Sequence, residues 1–352
     1  MTQTTLSQAH DRSATRLLEL IQMRLVSEAI HVVASLGIPD LLGAGPMTPE
    51  ELAKVTGANP QHLGRVMRAL LTFGVFSKHS IDRFALTDMG QHLRRDADGS
   101  LHPAAMLFGG ADGARMLELF LQCVNTGESA SQIRFGGWTN WIQSDPEVLR
   151  HFNAMMTAFS KIHLSGVFEA YDFSYGSKFV DIGGGHGRIL TQILQRNPRM
   201  QGVLFDLPHA LQGARETIAR TGLTDRCEII SGDFFVSVPA GGDTYLLSRV
   251  IHDWNDEQSV RILKVVRKAI VPSGRLILLE AMLRPSADSI YPTLSDLNML
   301  VRTGGCERTE GEYSALYQAA GFELTQTVAT TAPTGTTVIV GKPINAPFMP
   351  AP

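Results

Sequence analysis

The chain has 352 residues, 44% of them hydrophobic, and a formal net charge of −3. That length is about two domains' worth, and the near-neutral balance offers no electrostatic attraction for nucleic acid or an anionic membrane. Cys123, Cys227 and Cys306 are odd in number, scattered and without C-x-x-C spacing, which argues against a disulfide framework and a zinc site and points to a reducing, cytoplasmic setting.

The first ten residues are polar and lack the apolar run of a secretion signal. No window approaches 18 uninterrupted apolar residues, so no membrane span is expected. Residues 14–36 carry Leu17, Leu18, Ile21, Leu25, Ala29, Val32, Val33 and Leu36 at helical spacing before Gly37 and Pro39 break the pattern. The apolar face of this helix is unusually wide, and a partner subunit is a candidate to cover it.

Thr48-Pro-Glu-Glu51 reads as a capping box with proline at the first helical position, and Asn59-Pro60 as the cap of a second helix to about Thr72. Val75 to Ser77 and Arg83 to Leu86 can pair as a small wing, so residues 1–100 read as a winged-helix-like domain. A DNA-binding use finds little support. The second helix exposes only Arg65 and Arg68 as charges, and residues 1–100 hold ten Lys/Arg against ten Asp/Glu, whereas a domain that neutralises phosphates is basic.

Residues 101–171 are again helical in pattern and read as a linker. Trp138, Trp141, Phe152, Met155, Met156 and Phe159 are concentrated in its second half, and such an aromatic and methionine stripe is ordinarily core.

From Lys178 strands and helices alternate. Apolar runs at 178–182, 202–205, 227–231, 243–248, 275–280, 322–328 and 336–341 are separated by helical patterns near 188–196, 208–221, 256–271 and 309–320. This alternation implies a parallel α/β sheet with helices on both faces over 172–345. The short Ala332–Gly335 link permits the last two strands to form an antiparallel hairpin. A proline-rich ending, 346–352, reads as an irregular tail.

Between the first of these strands and its helix lies Gly183-Gly-Gly-His-Gly187. Glycines at 183, 185 and 187 let the backbone turn at positive φ and let a ligand lie against it, although such loops also serve as plain turns. The G-x-G-x-G spacing fits neither a dinucleotide fingerprint nor a phosphate-binding P-loop. Asp206 closes the next strand, 19 residues after Gly187, where an acid suits the two ribose hydroxyls of an adenosine. Asp233 follows the third strand, as a ligand-facing acid or as a turn cap after Gly232. His252 lies beyond the fourth strand, Glu280 ends the fifth, and Glu307 stands next to Arg308, with which it could simply pair.

Val180-Asp-Ile-Gly-Gly-Gly-His-Gly187, Phe205-Asp-Leu-Pro-His209, Gly232-Asp-Phe-Phe235, Arg249-Val-Ile-His-Asp-Trp254 and Gly304-Gly-Cys-Glu-Arg-Thr309 occur in that order over nearly the whole chain. Together they resemble the S-adenosylmethionine-dependent O-methyltransferases of the caffeate/hydroxyneurosporene type. The resemblance implies a doubly wound Rossmann-like sheet of seven strands, the last antiparallel, with an N-terminal all-α/winged-helix domain that dimerises. It implies a homodimer acting on an aromatic small molecule, with no nucleic acid, membrane or metal partner. Carried over residue by residue, His252 is the general base, with Glu280 and Glu307 as its supporting acids. Gly183, Gly185, Asp206, Asp233, Phe234, Ser248 and Ser160 would hold S-adenosyl-L-methionine, and Met156, Phe159, Asp253, Asn298 and Met299 would line the acceptor pocket.

Two departures stand out. Ser248 occupies a position where plant members often have lysine, and Cys306 one where lysine or arginine is common. Two rival readings stay open. One keeps the fold and cofactor but methylates nitrogen or carbon, or catalyses another reaction; the other is a ligand-sensing winged-helix regulator.

Overall fold

The computed structural model describes residues 3–284 and 289–344; the expected tail at 346–352 lies outside them. The chain divides into two compact units: Met1–Glu118 with Thr139–Phe159, and Leu119–Trp138 with Ser160–Pro352. The helical stretch anticipated as a linker, 101–171, is therefore shared between the two. Its first part packs back on the opening helix, where His31 Nδ1 lies 3.2 Å from the Ala105 carbonyl. A later part, near Ser131, hydrogen-bonds to the Arg302 carbonyl of the second unit.

In the first unit the opening helix runs Gln3–Ser35, and Leu17, Leu18, Ile21 and Leu25 are each more than half exposed along it. Gly37, in the left-handed region, ends it and starts the Ile38–Gly43 helix. The capping box at Thr48 is present, with both reciprocal bonds to Glu51. Asn59 caps the Pro60–Thr72 helix by accepting from the His62 N–H. Strands β1 (Phe76–Lys78) and β2 (Phe84–Leu86) pair antiparallel. Leu52, Leu63, Met67, Leu70, Phe76 and Phe84 form the core that these short elements share.

In the second unit the strands are β3 (Lys178–Ile182), β4 (Gln201–Asp206), β5 (Cys227–Ser231), β6 (Thr244–Ser248), β7 (Arg275–Ala281), β8 (Phe322–Ala329) and β9 (Thr336–Pro343). Among the described residues they make one seven-stranded sheet in the order β5-β4-β3-β6-β7-β9-β8. Strands β3 to β7 are parallel, and β9 enters antiparallel between β7 and β8. The doubly wound sheet with a reversed last strand is thus the observed fold.

Alternation within β3 explains why Phe179, Val180 and Ile182 are all apolar. Val180 and Ile182 face one core cluster while Phe179 faces the other, so a parallel strand covered on both faces needs apolar residues on both. The strand order reverses between β3 and β6, and the crevice at their carboxyl ends is where open α/β sheets bind ligands.

Two helical expectations change. The helix near 208–221 shrinks to Ala214–Arg220, because Gly213 sits left-handed at its N-cap and cannot continue a helix. The helix Tyr291–Arg302 is an addition to the expected elements; its Leu294 and Leu297 are exposed while Ser295 and Arg302 are buried, so its covered face is partly polar. Among the described residues no helix is long and apolar enough to cross a membrane.

Candidate active site

The loop after β3 has Gly183, Gly185 and Gly187 all at positive φ, at 69°, 54° and 75°. The Gly185 N–H donates to Asp206 Oδ2 at 2.9 Å, and the Leu207 N–H donates to Oδ1 at 2.7 Å. Asp206 therefore pins the loop to the end of β4. Burial raises its carboxyl above the ordinary range, against the lowering effect of those two backbone donors and of His209. A Cβ at Gly185 would meet no atom within 4 Å, whereas one at Gly183 would lie 2.7 Å from Val250 Cγ2. The glycine loop is thus open at its tip and pressed at its base against the turn that follows β6.

That turn is strained. Arg249, at φ 56°, is the one residue other than glycine with positive φ among the described residues; this region costs an L-residue about 1–2 kcal/mol. The turn passes into a short 3-10 helix, Ile251–Asp253, that returns His252 into the protein. Gly305 presses against it from outside. A Cβ there would come within 2.0 Å of the His252 carbonyl oxygen and 2.6 Å of the Trp254 nitrogen, so only glycine fits.

His252 is buried, and its Nδ1 lies 3.1 Å from Glu307 Oε1. A carboxylate there requires the proton on Nδ1 and leaves the Nε2 lone pair free. Nε2 lies 3.7 Å from Asp253 Oδ1. Glu307 Oε1 also accepts from Ser295 Oγ at 2.6 Å and pairs with Arg249 at 3.0 Å. The Glu307 N–H in turn donates to Asp296 Oδ1 at 2.9 Å. Burial would raise the Glu307 carboxyl, but Arg249, His252 and the bonds from His252 and Ser295 outweigh it and bring it down to about 2.

For the His252 ring the balance runs the other way. Burial and Arg249 lower it, and Asp253, Glu307 and Glu280 outweigh them, so it stands above its usual 6.5.

Glu280 does not bond the ring. Its Oε1 accepts from the Val250 and Ile251 N–H groups at 3.2 and 2.9 Å, and its Oε2 faces Arg249 at 3.9 Å. The sequence placed it beside the histidine; the structure makes it the clamp of the histidine's turn. Nor does Glu307 pair with Arg308, whose buried guanidinium pairs with Asp256 at 2.8 Å and donates to the Ile251 and Trp254 carbonyls.

The remaining sequence-derived positions are spread more widely. Asp233 is exposed, and its Oδ1 accepts from the Phe235 N–H at 2.8 Å, so the turn-cap reading is realised while Oδ2 is left over. Phe234 packs edge-on to Trp254 at 6.0 Å and lies 5.2 Å from Phe235. Ser248 is half-buried at the end of β6, and Ser160 half-buried where the second unit resumes. Asn298 Oδ1 accepts from Arg302 Nε at 2.6 Å, and Met299 is buried. Met156 and Phe159 belong to the first unit, where both are half-buried and Phe159 packs 6.4 Å from Phe108.

Sequence reasoning missed Arg249, Ser295, Asp181 and Gly305. A signal for the first was present. Glu280 near the end of a buried strand and Glu307 in a second motif of the same site together demand a nearby cation, and Arg249 stands three residues before the histidine.

Residues 127–323 match the profile of the O-methyltransferase domain, and residues 18–96 that of the O-methyltransferase dimerisation domain. The phenazine O-methyltransferase of Lysobacter antibioticus is 37% identical over 93% of this chain and 96% of its own. The solved structure of a mitomycin 7-O-methyltransferase superposes with a TM-score of 0.86 at 34% identity, covering 96% of this chain and 99% of that one. Acceptors other than oxygen also occur. The 8-amino-8-demethylriboflavin N,N-dimethyltransferase of Streptomyces davaonensis is 33% identical over 85% of this chain and 87% of its own.

Proposed function

The chain belongs to the family of S-adenosylmethionine-dependent O-methyltransferases, and from that membership we propose that it methylates a hydroxyl of an aromatic small molecule, with His252 as general base. The observation that carries this reading is the Nδ1 bond from His252 to an ionised Glu307. A neutral amine already has a free lone pair and needs no strong base. A phenol must lose a proton.

The residues fit the cofactor. The open tip of the loop at Gly185 leaves room for a ligand against the backbone. Each oxygen of Asp206 has accepted one backbone N–H. An ionised carboxylate has about four acceptor sites, so about two remain for a ribose diol. Gly183, Gly185 and Asp206 would hold the methionyl and ribose parts, with Asp233, Phe234, Ser248 and Ser160 completing the site. When bound, S-adenosylmethionine supplies an electrophilic methyl group.

The chain's own task is to place the acceptor and take its proton. A phenol near pKa 10 and an imidazole near 6.5 differ by about 3.5 units, about 5 kcal/mol. The raised His252 narrows that gap. Proton removal is best concerted with transfer. A positioned base contributes roughly 10²–10⁴ in rate, and orientation can supply about 7–11 kcal/mol more. Met156, Phe159, Asp253, Asn298 and Met299 are the proposed acceptor contacts. Leu17, Ile21 and Leu25, exposed on the helix that enters the matched dimerisation segment, support assembly with a second copy.

The test has two arms. Calorimetric titration with S-adenosylhomocysteine is expected to show binding that Asp206→Ala weakens about 10²-fold or more, since each bond to a charged group is worth about 1.5–3 kcal/mol. A panel of hydroxylated and aminated aromatic acceptors then compares the protein with His252→Asn. Turnover of a hydroxyl acceptor lost about 10²-fold in the variant supports the base. Activity confined to amines, or retained by His252→Asn, overturns it.

A further inference from the structure

The ligating atoms of His252, Glu280 and Glu307 lie within 4.8 Å of one another, and two carboxylates brought that close in a dry site cannot both stay ionised without a cation. The cation is Arg249. Its guanidinium approaches Glu307 Oε1 at 3.0 Å and Glu280 Oε2 at 3.9 Å, and it donates to Ser295 Oγ at 3.1 Å. Its backbone is held left-handed to bring it there, where glycine or asparagine would sit with less strain. The surroundings over-determine this conformation: the Arg249 N–H donates to the Leu279 carbonyl at 2.9 Å, and the next two N–H groups are taken by Glu280. A strained conformation kept in a buried charge cluster points to a role.

We propose that Arg249 is the positioning residue of the base, a tethered cation that keeps Glu307 ionised and thereby fixes His252 with its proton on Nδ1 and its Nε2 free. The proposal rests on the reading of His252 as general base and adds what determines its tautomer. Without the cation, repulsion between Glu280 and Glu307 drives one of them to take up a proton. A protonated Glu307 donates to Nδ1 instead of accepting from it. The ring then carries its proton on Nε2, the nitrogen the acceptor needs, and cannot serve. The other charged or polar groups facing His252 are Asp253 beside it and His163 from the Pro146–His163 helix, itself held neutral chiefly by burial. Tyr291 and Tyr313 face Arg249, and none of these supplies a second cation.

The experiment is ¹⁵N NMR of histidine-labelled full-length protein saturated with S-adenosylhomocysteine at pH 7.5, with His252→Asn identifying the resonance. In wild type the neutral ring is expected to carry its proton on Nδ1. In Arg249→Met that form is expected to fall at least about ten-fold in population, a 1.4 kcal/mol shift, giving way to the Nε2–H tautomer or the imidazolium. Arg249→Met/Glu280→Gln removes both the cation and the repulsion and is expected to restore the Nδ1–H form; Arg249→Lys is expected to keep it. A purely structural Arg249 would leave the double variant as perturbed as the single one. That result, or an unchanged tautomer in Arg249→Met, overturns the proposal. Neither result bears on whether His252 is the base, which the turnover of His252→Asn decides separately.

Discussion

Asp181 is the fourth of the five residues of β3, fully buried, and neither of its oxygens has a hydrogen-bond partner. Burial, and then the charge of Asp206, raise its carboxyl from 3.8 to about 8. The native protein therefore holds a proton here that the unfolded chain has released above about pH 4. Because the native state binds more protons, stability falls as pH rises, by about 1.4 kcal/mol per unit. The fall begins near pH 4 and flattens above about pH 8. From pH 6 to pH 8 it amounts to about 2–3 kcal/mol.

Asp181→Asn keeps the shape and cannot ionise, so it should abolish that slope whatever its own baseline stability. Other groups titrating in the window, His252 among them, are common to both proteins and cancel in the comparison. The measurement is the midpoint of thermal unfolding at pH 6, 7, 8 and 9. For a chain of this size 1 kcal/mol corresponds to roughly 2–4 °C. The wild type should thus lose about 4–12 °C more than the variant between pH 6 and 8. Parallel curves would show Asp181 to be ionised in the native protein and would refute the assignment of its charge state.

Two further outcomes follow from packing. Gly305→Ala drives a Cβ into the backbone of His252 to Trp254; overpacking of this kind costs about 1–3 kcal/mol or more. The variant should lower both the thermal midpoint and kcat, and normal values of both would remove Gly305 from the support of the base. Ile21→Asp/Leu25→Asp places two charges on the exposed apolar face of the opening helix. A buried leucine or isoleucine is worth about 1.5–3 kcal/mol, and a symmetric interface would lose each twice. Light scattering should find monomers, and an unchanged dimer would move the interface elsewhere.

The residues read most readily from the sequence share one physical origin. Gly183 follows β3, Asp206 ends β4, Asp233 follows β5, Ser248 ends β6 and Glu280 stands near the end of β7. Parallel strands all finish on the same edge of the sheet, so recognising a strand from its apolar run also places the residue after it. No such shortcut reaches the far end of the site. Ser295 lies on the Tyr291–Arg302 helix, whose Leu294 and Leu297 are exposed, and Glu307 lies in the segment that follows it; both meet Arg249 beyond the end of β6. Periodicity reports which face of an element is covered, not what covers it.

The roles of the two glutamates show the same limit. Both were placed by motif, yet one bonds the imidazole and the other bonds the backbone behind it. What was available in the sequence was the sum of charges. Glu280 and Glu307 cannot both be buried ionised without a cation, and a motif that supplies two acids and a histidine leaves that balance unmet until Arg249 is counted. Charge balance over a set of motif residues therefore carries information that their spacing does not, and here it leads to the residue in the strained turn.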